Sequence, residues 1–280
     1  MSGPVNLGRA ELVQLLGPDS RAFAHAQFCS DVAALPAGDW QWSAWLDAKG
    51  RVRYFFALID LGDDGLLAWL PLGDAAALAQ ELGRFLFRSK LKVNALDGWA
   101  VRGDFNAPSE SPRLGRDGES LHLSIDGVQP RLLCLHPADP VDTMDPAALR
   151  RWRGSDAVDG LPLIDGACAG EFVPQALDLE RWGAISFRKG CYPGQEVAAR
   201  LHFRGGNKRG LRRLRWDGND VHPAAGAKLY LTDASANVGA LLYSGGDEHG
   251  AVGLGVLTHP EVAGQITLEP AISAQIERAG

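Results

Sequence analysis

Much is missing from this chain, and each gap excludes something. No apolar run approaches the roughly 20 residues needed to span a bilayer, so no membrane partner is expected. The first residues, Met1-Ser2-Gly3-Pro4-Val5-Asn6, contain no basic segment leading into an apolar one, so no secretory signal is expected. Cysteine is sparse: Cys29, Cys134, Cys168 and Cys191 lie far apart and form no Cys-x-x-Cys. A sequence-local zinc or redox motif is therefore absent, and no metal site is expected. Widely spaced thiols without a leader suit a reducing cytoplasm, the expected location. The sequence has no long linker, internal repeat or low-complexity tract.

What is present is ordinary in bulk and uneven in detail. The chain has 280 residues, 46% hydrophobic and 22% charged, which suits one large soluble domain or two moderate ones. The net charge is −6, yet residues 188–215 hold nine basic side chains and a single acid, Glu196. That stretch carries +8 and leaves −14 for the remainder. Such a run attracts an anionic ligand tail or a nucleic-acid backbone, or it is merely a solvated face. The acidic whole and the lack of a nucleic-acid motif count against direct nucleic-acid binding.

Periodicity predicts an α+β chain. A helix is expected over 18–31, started by Asp19 or Ser20, with Gln27 and Asp31 one turn apart. Strands are expected over 40–47, 52–61 and 66–70, the first two joined by a turn at 48–50. Asp74 caps a helix whose Leu78, Leu82, Phe85 and Leu86 fall at helical spacing. A strand follows at 91–96, a surface loop at 103–119, and strands at 121–125 and 131–135. Asp145-Pro146 opens a short helix towards Trp152, and 154–175 reads as irregular. This alternation predicts helices on one side of an antiparallel sheet. After Gly210, six short apolar segments separated by Gly, Asp, Asn and Pro predict a small all-β module, a barrel.

One stretch stands out: Lys189-Gly190-Cys191-Tyr192-Pro193-Gly194-Gln195-Glu196-Val197. Glycines let the backbone turn sharply, and a nearby ammonium favours the reactive thiolate. Cys191 is therefore expected as a presented thiol on a tight loop, with Lys189 as its nearest cation in sequence. The structural alternative is a small buried hydrophobe with an exposed lysine beside it. Gln195 and Glu196 stand where a helix begins, with Arg200 placed for an i,i+4 ion pair with Glu196.

The Lys-Gly-Cys-Tyr-x-Gly-Gln-Glu string resembles the signature of YgfZ-type folate-binding proteins, relatives of the glycine-cleavage T-protein. The resemblance extends through Gly160-Leu161-Pro162-Leu163-Ile164-Asp165, Glu171-Phe172-Val173-Pro174-Gln175-Ala176-Leu177-Asp178-Leu179, Gly183-Ala184-Ile185-Ser186-Phe187 and Phe203-Arg204-Gly205-Gly206-Asn207-Lys208-Arg209. Weaker matches occur at Gly17-Pro18-Asp19-Ser20 and at Asp47-Ala48-Lys49-Gly50-Arg51-Val52. The resemblance implies a T-protein-like α+β region over residues 1–209, carrying the cysteine loop, and a C-terminal β-barrel over 210–280. It implies tetrahydrofolate as cofactor, with Trp152 in contact with it. Gln27, Asp31, Tyr192 and Arg200 are the other folate candidates, each with a structural alternative in capping, anchoring or surface polarity. It further implies an accessory role in assembling or maintaining iron–sulfur proteins, including cluster-dependent tRNA modification, through Cys191 and Lys189. The partners would be iron–sulfur proteins or their assembly machinery. The family's tryptophan ahead of Gly17 is missing here, near Ala10. Two other readings stay open: a folate-dependent aminomethyltransferase or one-carbon transfer enzyme, and an RNA-binding protein using residues 188–215. Against the first, the acidic pair of T-proteins is replaced by Tyr54 and Phe55. Whether any chemical step is catalysed stays open.

Overall fold

The computed structural model describes residues 3–106, 112–139, 143–218, 221–231, 236–259, 264–269 and 272–278. Its first elements are β1 (Val5–Arg9), β2 (Glu11–Leu16), α1 (Ser20–Gln27), β3 (Trp40–Leu46), β4 (Val52–Asp60), β5 (Leu66–Leu70), α2 (Ala75–Gly83) and β6 (Lys92–Leu96). There follow β7 (Trp99–Asp104), β8 (Leu114–Asp117), β9 (Ser120–Ile125), β10 (Arg131–Pro137), α3 (Pro146–Asp159) and α4 (Gln195–Arg204). The last six strands are β11 (Gly210–Trp216), β12 (Lys228–Leu231), β13 (Asn237–Asp247), β14 (Gly250–Leu257), β15 (Gly264–Leu268) and β16 (Ile272–Arg278).

Two antiparallel sheets, ordered β3-β4-β5-β2-β6 and β1-β7-β10-β9-β8, precede a closed barrel ordered β11-β14-β13-β12-β15-β16. The α+β reading and the terminal barrel are thus observed. Strand alternation sends neighbouring side chains of β3 to opposite faces. Trp40, Trp42, Ala44 and Leu46 join the central core, which also takes Leu123 and Leu133 from the other sheet, Trp152 from α3 and Val252 from the barrel. Trp45 faces the other way, into a layer where Phe23 of α1 and Leu78 and Leu82 of α2 cover Val13, Phe56 and Leu58. Those two helices lie on one face of their sheet, as the pattern requires.

Several boundaries differ from the sequence expectation. The first helix ends at Gln27, because Phe28 is already extended and Cys29 donates its N–H to Ala44 O at 2.9 Å in β3. Gln27 and Asp31 are therefore not one turn apart on a helix; Asp31 instead caps a separate short 3₁₀ turn, Val32–Ala34. Asp19 precedes α1, but its carboxylate accepts the Lys90 N–H rather than capping the helix. Asp74 does cap α2 by accepting from Ala77 N at 2.9 Å. That helix stops at Gly83, leaving Phe85 to meet Trp45 edge-on. Strands β1, β2 and β7 were not expected, and β8 falls inside the expected 103–119 loop, whose residues 107–111 lie outside the described ones.

Helix α3 is capped by Asp145 and begins with Pro146, as expected, but runs past Trp152 to Asp159. Residues 154–159 are helical because neighbours seat them. Arg131 lies buried between the Asp156 and Asp159 carboxylates, 3.0 Å from each. Gly154 lets the helix touch barrel strand β13: a Cβ there would stand 2.1 Å from Gly246 O. Gly154→Ala must push helix and barrel apart, and overpacking of this kind costs about 1–3 kcal/mol. Urea unfolding should show a lower midpoint for this variant; an unchanged midpoint would mean that the contact is not so close.

Candidate functional site

Cys191 is exposed, whereas Cys29 and Cys168 are buried and Cys134 is half-buried. Burial raises the thiol pKa of the other three, that of Cys168 to about 11. Cys191 is thus the chain's solvent-facing thiol.

The loop that presents it is tied down on both sides. Ser186 N–H donates to Cys29 O at 2.8 Å, continuing the connection from β3. Tyr192 is buried, its hydroxyl donates to Ser186 O at 3.2 Å, and its ring lies 4.9 Å from the Lys189 ammonium. Burial pushes its phenol upward. Gly194 ends the loop with φ 75° and precedes α4. Its missing side chain admits the β3–β4 turn, since a Cβ would meet Asp47 O at 2.5 Å and Gly50 Cα at 2.7 Å. The family-like segment at 47–50 and the signature loop are therefore in contact. Neither Gln195 nor Glu196 supplies a side-chain cap to α4. Among the described residues no ion pair joins Glu196 to Arg200, and both side chains are exposed.

Lys189 is 8% exposed. Its ammonium donates to the backbone carbonyls of His25, Phe28 and Ser30, at and just beyond the end of α1. A cation there meets carbonyls that have no helical partner and the negative end of the helix dipole. Burial pushes the ammonium down to about 8, opposed by Cys29 and Asp31 nearby. The buried thiol facing this charge is Cys29, not Cys191. Lys189 so positions the loop, and its alternative as an exposed side chain does not hold. Beside it, His25 Nδ1 accepts the Ala33 N–H at 3.2 Å, which requires an unprotonated Nδ1. Burial and the Lys189 charge push His25 downward, so its 3.7 Å approach to Asp31 is not a true ion pair. Asp31 accepts from Ala34 N at 3.2 Å. Gln27 Oε1 accepts from Trp45 Nε1 at 3.4 Å, under the helix layer.

Trp152 lies elsewhere. Its indole is 3% exposed, with the Arg131 guanidinium 4.4 Å over it and Phe105 edge-on at 5.4 Å. With Trp42, Trp69, Ile125, Leu161 and Asp156 it lines a central cleft enclosing about 200 Å³. Aromatic walls and a carboxylate suit the flat, hydrogen-bonding head of a pterin in kind. The cleft is too narrow to admit even a water molecule, so the indoles must part to take a ring. Of the five folate candidates only Trp152 lines this cleft. Trp42 and Trp69 belong to it through strand alternation, whereas Asp156 was hidden in a segment that reads as loop. A larger groove of about 840 Å³ runs between α3 and the barrel past Arg150, Ser155, Arg215 and Asp247. Cys191 lines neither space. At the T-protein acid positions, Tyr54 donates to Glu81 at 3.0 Å, and Phe55 stacks on Trp42 at 4.9 Å. Among the described residues no three His, Cys, Asp or Glu side chains are grouped to hold a metal ion. No described helix is long and apolar enough to cross a membrane.

No family model matches the sequence. Proteins called tRNA-modifying protein YgfZ are similar to it over most of its length. That of Klebsiella pneumoniae (strain 342) is 32% identical over 243 residues, 79% of this chain and 73% of the relative. That of Pectobacterium atrosepticum is 31% identical over 249 residues, 81% and 74% of the two chains. Among solved structures, the glycine cleavage system aminomethyltransferase T of Bartonella henselae superposes with a TM-score of 0.72 at 16% identity, over 99% of this chain and 85% of that one. At that identity the likeness concerns the fold.

The buried ammonium makes a pH prediction. Its folded value of about 8 lies below its ordinary 10.5. Between those values the unfolded chain holds more protons, so this group's contribution to stability rises with pH across that window. The slope is at most about 1.4 kcal/mol per pH unit. Lys189→Met removes the charge and the slope, and strands carbonyls that cost about 1–3 kcal/mol when left unpaired. Denaturant titrations at several pH values should show the wild type gaining on the variant from pH 8 to 10.5; parallel profiles would refute this.

Proposed function

The chain belongs to the YgfZ family of tRNA-modifying proteins, and from that premise we propose that it is an accessory protein of tRNA modification. It acts on iron–sulfur proteins through Cys191 and uses tetrahydrofolate. The observation that carries this reading is the placement of Cys191. The chain exposes one thiol, on a loop that a buried lysine, a buried tyrosine and a glycine contact hold in place. A rigid loop offers a thiol to a partner without paying ordering entropy on contact.

Folate binding rests on the tryptophan-lined cleft. Tetrahydrofolate, when bound, supplies a reduced pterin able to carry a one-carbon unit. The chain's own contribution is the narrow cleft between Trp42, Trp69 and Trp152, with Asp156 at its wall, whose indoles must part to admit a ring. Asp156 is held by Arg131 and Arg153, which fix the orientation of its carboxylate. The aminomethyltransferase reading is favoured by the fold alone. Tyr54 and Phe55 supply no carboxylate where that chemistry needs one, so we favour the accessory role.

Tetrahydrofolate should quench the tryptophan fluorescence saturably. Trp152→Phe should weaken binding by up to about tenfold, because it cuts back an aromatic contact worth about 1.5 kcal/mol at most. Absence of quenching in the wild type would remove folate from the proposal. In a bacterial strain lacking its own YgfZ relative, the wild-type gene should restore the activity of a cluster-dependent tRNA-modifying enzyme. Cys191→Ala should fold normally yet fail to do so. Full rescue by this variant would make the thiol dispensable.

A further inference from the structure

The basic surplus of residues 188–215 does not spread evenly over the surface. Lys189 is buried against carbonyls. Arg213 pairs with Glu277 at 2.7 Å, and Arg215 with Asp247 at 2.8 Å. Among the described residues, the exposed cations of this run without an ion pair are Arg188 before the cysteine loop, Arg200 and Arg204 on α4, and Lys208 and Arg209 just after it, Arg209 lying over the Phe172 ring. Arg200, Phe203 and Arg204 fall at i, i+3 and i+4 on the outward side of α4, opposite buried Ala198.

Phe203 is 73% exposed in the middle of this charge. It does not stand alone. The His202 ring stacks flat on Phe187 at 4.0 Å with an 18° tilt, and Phe203 meets His202 edge-on at 4.7 Å. The result is a small aromatic platform at the surface, with one open ring and cations on both flanks. One acid touches it among the described residues, Glu180, engaged with His202 at 3.3 Å; Glu196 lies at the far end of α4.

We propose that this face of α4 docks single-stranded RNA, the unpaired bases of a loop stacking on Phe203 while the flanking cations take its phosphates. The inference deepens the tRNA-modification role proposed above and rests on it. Exposed aromatics beside cations are how proteins hold unpaired bases, because every base offers a ring face and every nucleotide a charge. A net-negative chain repels a polyanion over most of its surface, so local groups of cations decide where it lands. Cys191 lies on the loop that leads into α4, ahead of its first residue, Gln195. The acidic whole, which counts against nucleic-acid binding in the sequence, is what makes the site local.

The test uses the full chain and a fluorescent RNA hairpin with a seven-nucleotide loop, read by anisotropy against a blunt RNA duplex of the same stem. The hairpin should bind more tightly than the duplex, with affinity falling steeply as salt rises. Phe203→Ala should weaken the hairpin about tenfold, the effect of losing one stacked base, and leave the duplex unchanged. Arg204→Glu combined with Lys208→Glu should abolish binding of both. These side chains are exposed, and unchanged thermal midpoints would confirm intact folds. Equal binding of hairpin and duplex, indifferent to Phe203→Ala, would overturn the proposal in favour of unspecific charge. No salt-sensitive binding at all would also overturn it, leaving the face to a protein partner. Folate quenching and rescue through Cys191 are read separately, so their persistence alongside failed RNA binding would sink this inference alone.

Discussion

A charged amine held out of water is the constraint around which the cysteine loop is arranged. An ammonium cannot be buried in apolar surroundings without partners, because its desolvation costs several kcal/mol. Lys189 finds its partners in three carbonyls where α1 gives way to extended chain. Those carbonyls exist only because α1 ends at Gln27 and the chain turns into pairing with β3. The lysine and the helix end thus complete each other, and the segment carrying Lys189 has little freedom left. With Lys189 directed inward and Tyr192 buried immediately after Cys191, the cysteine between them is left at the surface.

The same arrangement explains how much of the site the sequence made legible. Exposure of Cys191 followed from its neighbours, since glycines and a proline around a thiol make a poor core segment. The role of Lys189 did not, because its acceptors lie about 160 residues earlier and are backbone atoms, invisible to any reading of side-chain types. Gln27 and Asp31 were paired on a helix that stops between them, for a reason that lies in β3 rather than in local propensity. The fold was legible where one face is buried and the other is not: β3, β4, β5, α2 and the barrel strands show a clear period. It was obscured where a segment owes its form to a neighbour. Residues 154–159 of α3 hold a glycine and two aspartates, weak helix formers; they are helical because Gly154 meets the barrel and Arg131 holds both acids. Strand β8 reads Leu-Gly-Arg-Asp, with little β propensity, and exists by pairing along β9.

The two centres of the molecule are distinct but joined. The tryptophan cleft is lined from β3 by Trp42, while two residues on, Ala44 accepts the N–H of Cys29. Cys29 in turn accepts the N–H of Ser186, where the cysteine loop begins. A single strand thus borders the cleft at one residue and carries the loop's attachment at another. Its alternation sends Trp42 to the central core and Trp45 to the helix layer, so the run of tryptophans is not one surface. Of Trp40, Trp42 and Trp45, only Trp42 lines the cleft.

Electrostatics follows the same division. A cluster of like charges on a folded surface destabilises it unless opposite charges lie close or water screens them. In the barrel, Arg213 is matched by Glu277 on the adjoining strand β16 and Arg215 by Asp247 on β13, so these cations serve the fold. In α3 and the sheet behind it, Arg131 and Arg153 are matched by Asp156 and Asp159. Around α4 the matching stops. Arg188, Arg200, Arg204 and Lys208 face solvent, and the helix interior offers them no carboxylate. Charges that fold stability does not require, gathered beside an open aromatic ring and a presented thiol, are the part of this chain whose arrangement is explained by something outside it.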